Sequence, residues 1–432
     1  MKYNPSLHKL SNGVAVILDP MDIESTSVKV SFNTGSRDEA PHEYGITHFC
    51  EHMLCKGTSR LPSVREIEEY LEYYGGNHNA STGVSALSFY GRILAKNVNV
   101  LIEFIGDQLK NSLFDSDKIE IERRVICDEL RRAKDNPLRQ FDDFMSATLF
   151  GGATFSTRNL GNVENIMSFT REQMREFLAR RLSAQNCIIG ISGRIIDTES
   201  VLQCLEDSFN FLTTHDVLVN DVINYTPAIA HNTKSENHNI KLRILFPDIC
   251  VSKYENRFNN MCVGRFERYM NKEISNVLRQ DNGLVYSFSG FGVGNSDYYW
   301  NGFNTETSKD NIAKVVALIA KTAYKVYNKF SMTTDDLDRY QRKDYLGDAD
   351  WLESSTRRCD KLISFYRTYG RIYDFYDTVK MFGNITVDDV FKNSRGYFDG
   401  QMSIITQGAD FDADLKQVWI DNFREDKNVV KV

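Results

Sequence analysis

Gly45-Ile46-Thr47-His48-Phe49-Cys50-Glu51-His52-Met53-Leu54-Cys55-Lys56-Gly57-Thr58 is the stretch from which the rest of the chain is read. At its centre is His-x-x-Glu-His, the inverted form of the zinc-hydrolase helix motif. On an α-helix each residue advances by about 100°, so His48 and His52 project from one face and can grip a single metal ion. Glu51 lies beside them, close enough to take a proton from a water at that ion without becoming a ligand. Two neutral nitrogen donors and one free carboxylate are the residue types of a hydrolytic zinc centre. Two histidines on a helix are otherwise ordinary polar residues. The chain holds only 8 His in 432 residues, so this spacing with Glu at i+3 favours the metal.

Composition narrows the class. Hydrophobic residues make up 41% and charged residues 26%, which suits a globular protein with a sizeable core. A net charge of -7 argues against a nucleic-acid partner or an anionic membrane surface. No run of 18 apolar residues is present, so no membrane insertion is expected. The N-terminus lacks the apolar core of a secretory signal. The eight cysteines are scattered, mostly in apolar runs and with no CxxC pair, as expected of reduced thiols in a cytoplasmic protein. Cys50 and Cys55 flank the histidines, but neither shares the face of both.

Along the chain, Val14–Leu18 is an apolar strand after the Asn12-Gly13 turn, and Ser27–Phe32 alternates with period two. Ser63 and Glu66 form a capping-box pattern for a helix that stops at Gly75-Gly76. A strand is expected over Val84–Leu94, and helices over Val98–Lys110, Asp117–Lys134, Phe141–Phe150 and Arg171–Arg180. The apolar strand Cys187–Ile191 closes on Gly193. Residues 212–239 are polar and mixed, which suggests a linker between residues 1–211 and 240–432. The two halves repeat. Thr170 through Gly193 resembles Thr386 through Gly408, and Val28–Phe32 resembles Leu242–Phe246, all at an offset of about 214 to 216 residues. At that offset His48, Glu51 and His52 fall near Cys262, Arg265 and Phe266, so the second half lacks the metal residues.

A catalytic zinc takes three protein ligands, and the Asp117–Lys134 helix offers Glu120, Glu122, Asp128 and Glu129. Glu122 and Glu129, seven apart, share a face. Chemistry alone does not choose among the four, and a solvated acidic face is the commoner fate of helix carboxylates.

Gly35-Ser36-Arg37, Gly45 to Met53, Lys56-Gly57-Thr58 and Glu122-Arg123-Arg124-Val125-Ile126-Cys127-Asp128-Glu129 together resemble the signature of the pitrilysin/insulysin superfamily of zinc peptidases. The resemblance implies an α+β fold of two structurally similar domains, each a mostly antiparallel sheet packed with helices. It implies one Zn2+ held by His48, His52 and Glu129, with Glu51 as general base and Glu122 as an assisting carboxylate. Asn79 and Ala80 match the edge strand on which such enzymes extend a peptide by β-augmentation. Leu278 to Ser287 resembles the block whose Arg and Tyr, here Arg279 and Tyr286, bind the substrate backbone and oxyanion. Without the resemblance, Arg279 reads as a surface charge and Tyr286 as packing. The length is that of the short two-domain branch, which includes the mitochondrial processing peptidase catalytic subunit and bacterial peptidases, and implies a homodimer.

The expected activity is zinc-dependent endopeptidase cleavage of peptides or unfolded protein segments. A non-catalytic peptide-binding or structural subunit of the same fold is the alternative, although such relatives usually lose part of the metal motif. A lyase of the S-ribosylhomocysteine type also carries His-x-x-Glu-His, but has a Cys ligand and a much shorter chain. Cys127 and Glu129 stand about 200° apart on a helix, so only one can face the metal.

Overall fold

The computed structural model describes residues 3–151, 158–217, 225–234, 238–247, 257–294 and 299–424. Contacts divide the chain into two units, Met1–Arg139 with Thr154–Val222 and Gly347–Phe375, and Gln140–Ala153 with Ile223–Leu346 and Tyr376–Val432.

The first unit holds strands β1 (Ser6–Lys9), β2 (Ala15–Pro20), β3 (Ser25–Phe32), β4 (Asn77–Thr82), β5 (Leu87–Leu94) and β6 (Cys187–Gly193). They form one sheet in the order β1-β2-β6-β3-β5-β4, antiparallel except for β2 with β6. Val28, Val30 and Phe32 of β3 enter a core shared with Phe49 and Met53 of the Ile46–Leu54 helix and Leu101, Ile102 and Ile105 of the Val98–Asn111 helix. The expected strand Val84–Leu94 is β5, which begins at Leu87, and β4, which lies outside that range, precedes it to form a hairpin.

The second unit holds β7 (Ile229–Thr233), β8 (Asn239–Pro247), β9 (Phe288–Gly294), β10 (Tyr299–Ser308) and β11 (Ser403–Gly408) in the order β7-β11-β8-β10-β9, again with one parallel pair, β7 with β11. That order reproduces β2-β6-β3-β5-β4 of the first unit, which is the repeat read from the sequence. The repeated helices carry the same cap: Thr170 accepts from Gln173 N–H and Thr386 from Asp389 N–H. The repeated strands end in Gly193 (φ +138) and Gly408 (φ +147), where a Cβ would stand 2.4 Å from Ser25 O and 2.1 Å from Asn239 O.

Three boundaries need correction. The linker expected over 212–239 contributes β7, a strand of the second sheet, while its residues 218–224 and 235–237 lie outside the described residues. The Pro137–Phe150 helix, expected in the first half, packs from Gln140 onward in the second unit. There Arg243 pairs with Asp142 at 2.5 Å and lies 4.6 Å from the Phe141 ring. Conversely, Gly347–Phe375 belongs to the first unit. Its Ser355–Tyr369 helix covers the polar face of β3: the Ser27 and Ser355 hydroxyls meet at 2.8 Å, Lys29 pairs with Asp360 at 2.6 Å, and Arg367 donates to Ser31 Oγ at 2.5 Å. The period-two pattern of β3 therefore marks two covered faces, with Ser27 and Ser31 buried as well. No described helix is long and apolar enough to cross a membrane.

Candidate metal centre

The helix bearing the histidines spans Ile46–Leu54. It starts at Gly45, whose φ of +95 suits glycine, and a Cβ there would stand 2.8 Å from Leu160 O. The side chain that satisfies its first turn is Glu39, which accepts the Gly45 and Thr47 N–H groups at 2.8 and 2.9 Å. Ile46, Phe49, Cys50, Met53 and Leu54 go into the core. This leaves His48, Glu51 and His52 on the partly exposed side.

The Ser116–Asp135 helix brings Glu129 to the same place. Nε2 of His48 and Nε2 of His52 are 3.2 Å apart. Glu129 Oε2 lies 3.8 Å from the first and 3.9 Å from the second. Donors bound to zinc at roughly 2.1 Å in tetrahedral array stand about 3.4 Å from one another, so these three atoms fit the ion. Among the described residues they form the one set of three potential ligands close enough for a metal. Burial, with His52 and Arg139 nearby, pushes His48 down to about 3, which keeps its ring neutral and its nitrogen available near neutral pH.

Glu122 ties this centre together. Its Oε2 lies 2.8 Å from His52 Nδ1 and its Oε1 lies 2.7 Å from Lys56 Nζ. Burial works to raise this carboxyl, but the hydrogen bonds from His52 and Lys56 outweigh it and hold it below the ordinary range. An acceptor at Nδ1 keeps the His52 proton there and leaves Nε2 free to coordinate. Glu51 is not among the three clustered donors. Its Oε2 accepts the Thr82 hydroxyl at 2.5 Å. Burial raises its carboxyl, partly opposed by Thr82 and His52.

The other candidates fall as follows. Cys50 is buried, with its Sγ 3.6 Å from Met174 O, and Cys127 is buried in the core, so neither reaches the histidines. Asn79 and Ala80 lie on β4, the edge of the first sheet, and Asn79 Oδ1 accepts the Ala80 N–H at 2.8 Å. Arg279 and Tyr286 are neighbours in the second unit: both are exposed, with the guanidinium 5.8 Å from the phenol ring centroid. Thr82, Lys56 and Glu39 were assigned no role from the sequence. Lys56 lies within the Lys56-Gly57-Thr58 motif and Thr82 two residues after Ala80, whereas Glu39 carries no signal.

Comparison with known proteins agrees with the fold. Residues 14–161 match the family described as Insulinase (Peptidase family M16), and residues 168–343 match Peptidase M16 inactive domain. The chain belongs to peptidase family M16. It is 25% identical over 407 residues, 92% of this chain and 96% of the relative, to an uncharacterized zinc protease of Rickettsia bellii. It is 34% identical over 201 residues to the mitochondrial-processing peptidase subunit beta of Dictyostelium discoideum, a match spanning 46% of this chain and 43% of that protein. In fold it is similar to a protease from Helicobacter pylori, with a TM-score of 0.78 at 18% identity over 94% of this chain and all of the other.

Proposed function

We propose that this protein is a zinc-dependent endopeptidase acting on peptides or unfolded protein segments. The observation that carries the reading is the convergence of His48, His52 and Glu129 on one point, with Glu51 beside them on the helix that bears the two histidines. A zinc ion on those three donors would polarise the scissile carbonyl and acidify the attacking water. Glu51 accepts the proton of that water and returns it to the leaving amine; a carboxyl raised by burial is suited to both steps. Glu122 holds the His52 ring in its coordinating tautomer. The free edge of β4 offers main-chain groups to an extended peptide, for which Asn79 must release the Ala80 N–H. Backbone recognition of this kind tolerates varied side chains. Arg279 and Tyr286 are proposed to bind the substrate carbonyl and the charge that develops on it.

Metal analysis of the purified chain tests the centre. Wild type and Glu51→Gln are each expected to hold one zinc per chain, while His48→Ala and Glu129→Ala lose it. A wild-type chain that takes up no zinc would refute the reading.

A further inference from the structure

The contact between Thr82 and Glu51 joins residues 31 apart in sequence, and several bonds hold the Thr82 end in place. Gly83 N–H donates to Ala86 O at 2.8 Å, closing the turn from β4 into β5. The carbonyls of Gly83 and Val84 accept the N–H groups of Ser36 and Arg37 at 3.2 and 3.1 Å. Asn159 Nδ2 donates to Thr82 O at 3.4 Å, while Ser36 Oγ donates to Asn159 Oδ1. Gly35 permits this approach, since a Cβ there would stand 2.4 Å from Gly83 O. The Gly35-Ser36-Arg37 motif thus grips the tip of the β4–β5 hairpin, and the hairpin in turn presents the Thr82 hydroxyl to Glu51.

We propose that Thr82 is a positioning residue that fixes the Glu51 carboxylate relative to the edge strand, so that a peptide aligned on β4 meets a base already in place. This rests on the reading of Glu51 as general base. A glutamate side chain swings about three torsions, and a group that must meet a proton at hydrogen-bond distance loses rate when it wanders. A hydroxyl donated to a carboxylate also weakens it as a base. The two effects have opposite signs in kcat, so the direction of change identifies which one Thr82 supplies.

The test uses the full chain loaded with zinc and a quenched-fluorescence peptide. Thr82→Val and Thr82→Ala are each expected to lower kcat by about tenfold with KM within about twofold. Zinc content should match wild type, and Thr82→Ser should restore most of the rate. Wild-type or higher kcat in a folded, zinc-loaded Thr82→Val or Thr82→Ala variant would overturn the proposal, as would a Thr82→Ser variant no better than Thr82→Ala. Glu51→Gln separates the two claims. If that variant still cleaves, the base assignment fails and Thr82's role falls with it. If it is inactive while Thr82→Val is fully active, only the role of Thr82 fails.

Discussion

Glu122 Oε2 stands 2.8 Å from His52 Nδ1, whereas Nδ1 of His48 is buried without a hydrogen-bond partner among the described residues. The two histidines are therefore held by different means. His52 is oriented by a carboxylate at its Nδ1, a contact that His48 lacks. Losing Glu122 should accordingly free the His52 ring while leaving every ligand in the chain. Glu122→Ala is expected to weaken zinc affinity by about 10- to 100-fold, read by competition with a chelating indicator. Unchanged affinity would mean that Glu122 does not orient the ring.

Glu39 gives the fold a pH dependence. Burial pushes its carboxyl up to about 8, against the lowering pull of its hydrogen bonds to Thr47 and Gly45. The folded chain then keeps a proton that the unfolded chain releases near the ordinary value of 4.5. The stability this contributes is full below that value and is lost as pH rises through about 8. Glu39→Gln keeps one of the two accepting oxygens and cannot ionise. Melting curves from about pH 5 to 9 should show the variant gaining on wild type as pH rises, with the gain arrested once Glu39 is ionised in both states. Parallel curves would contradict the assignment.

The ion pair of Asp19 with Arg358 is inaccessible on both sides, and Arg358 Nε donates to Asp19 Oδ2 at 2.5 Å. It fastens the Gly347–Phe375 segment to β2 within the first unit. Arg358→Met strands a buried carboxylate and is expected to cost about 3–5 kcal/mol in urea unfolding. Replacing both partners with apolar residues should recover a large part of that loss. A double variant as unstable as the single would show that the cost is one of packing.

The parts legible in the sequence were those whose signal is local. His48, Glu51 and His52 declare themselves through helical spacing, and the Thr170 and Thr386 caps through their own next three residues. Glu129 was one of four candidate carboxylates on its helix, and only the family signature separated it. Distant contacts gave less. Thr82 reaches Glu51 through a hairpin, and the polar residues of β3 gave no hint that a helix beginning at Ser355 would cover them. The domain limits failed for the same reason: chain continuity suggested that a second half stays together, whereas the buried pairing of Arg358 with Asp19 places Gly347–Phe375 in the first unit.

The most direct measurement is mass spectrometry of an unstructured peptide mixture incubated with zinc-loaded wild type, with chelated wild type and with zinc-loaded Glu51→Gln. New peptide termini are expected only from the zinc-loaded wild type, at sites of varied sequence. The same termini from Glu51→Gln, or none from the zinc-loaded wild type, would contradict a zinc peptidase that uses Glu51 as its base.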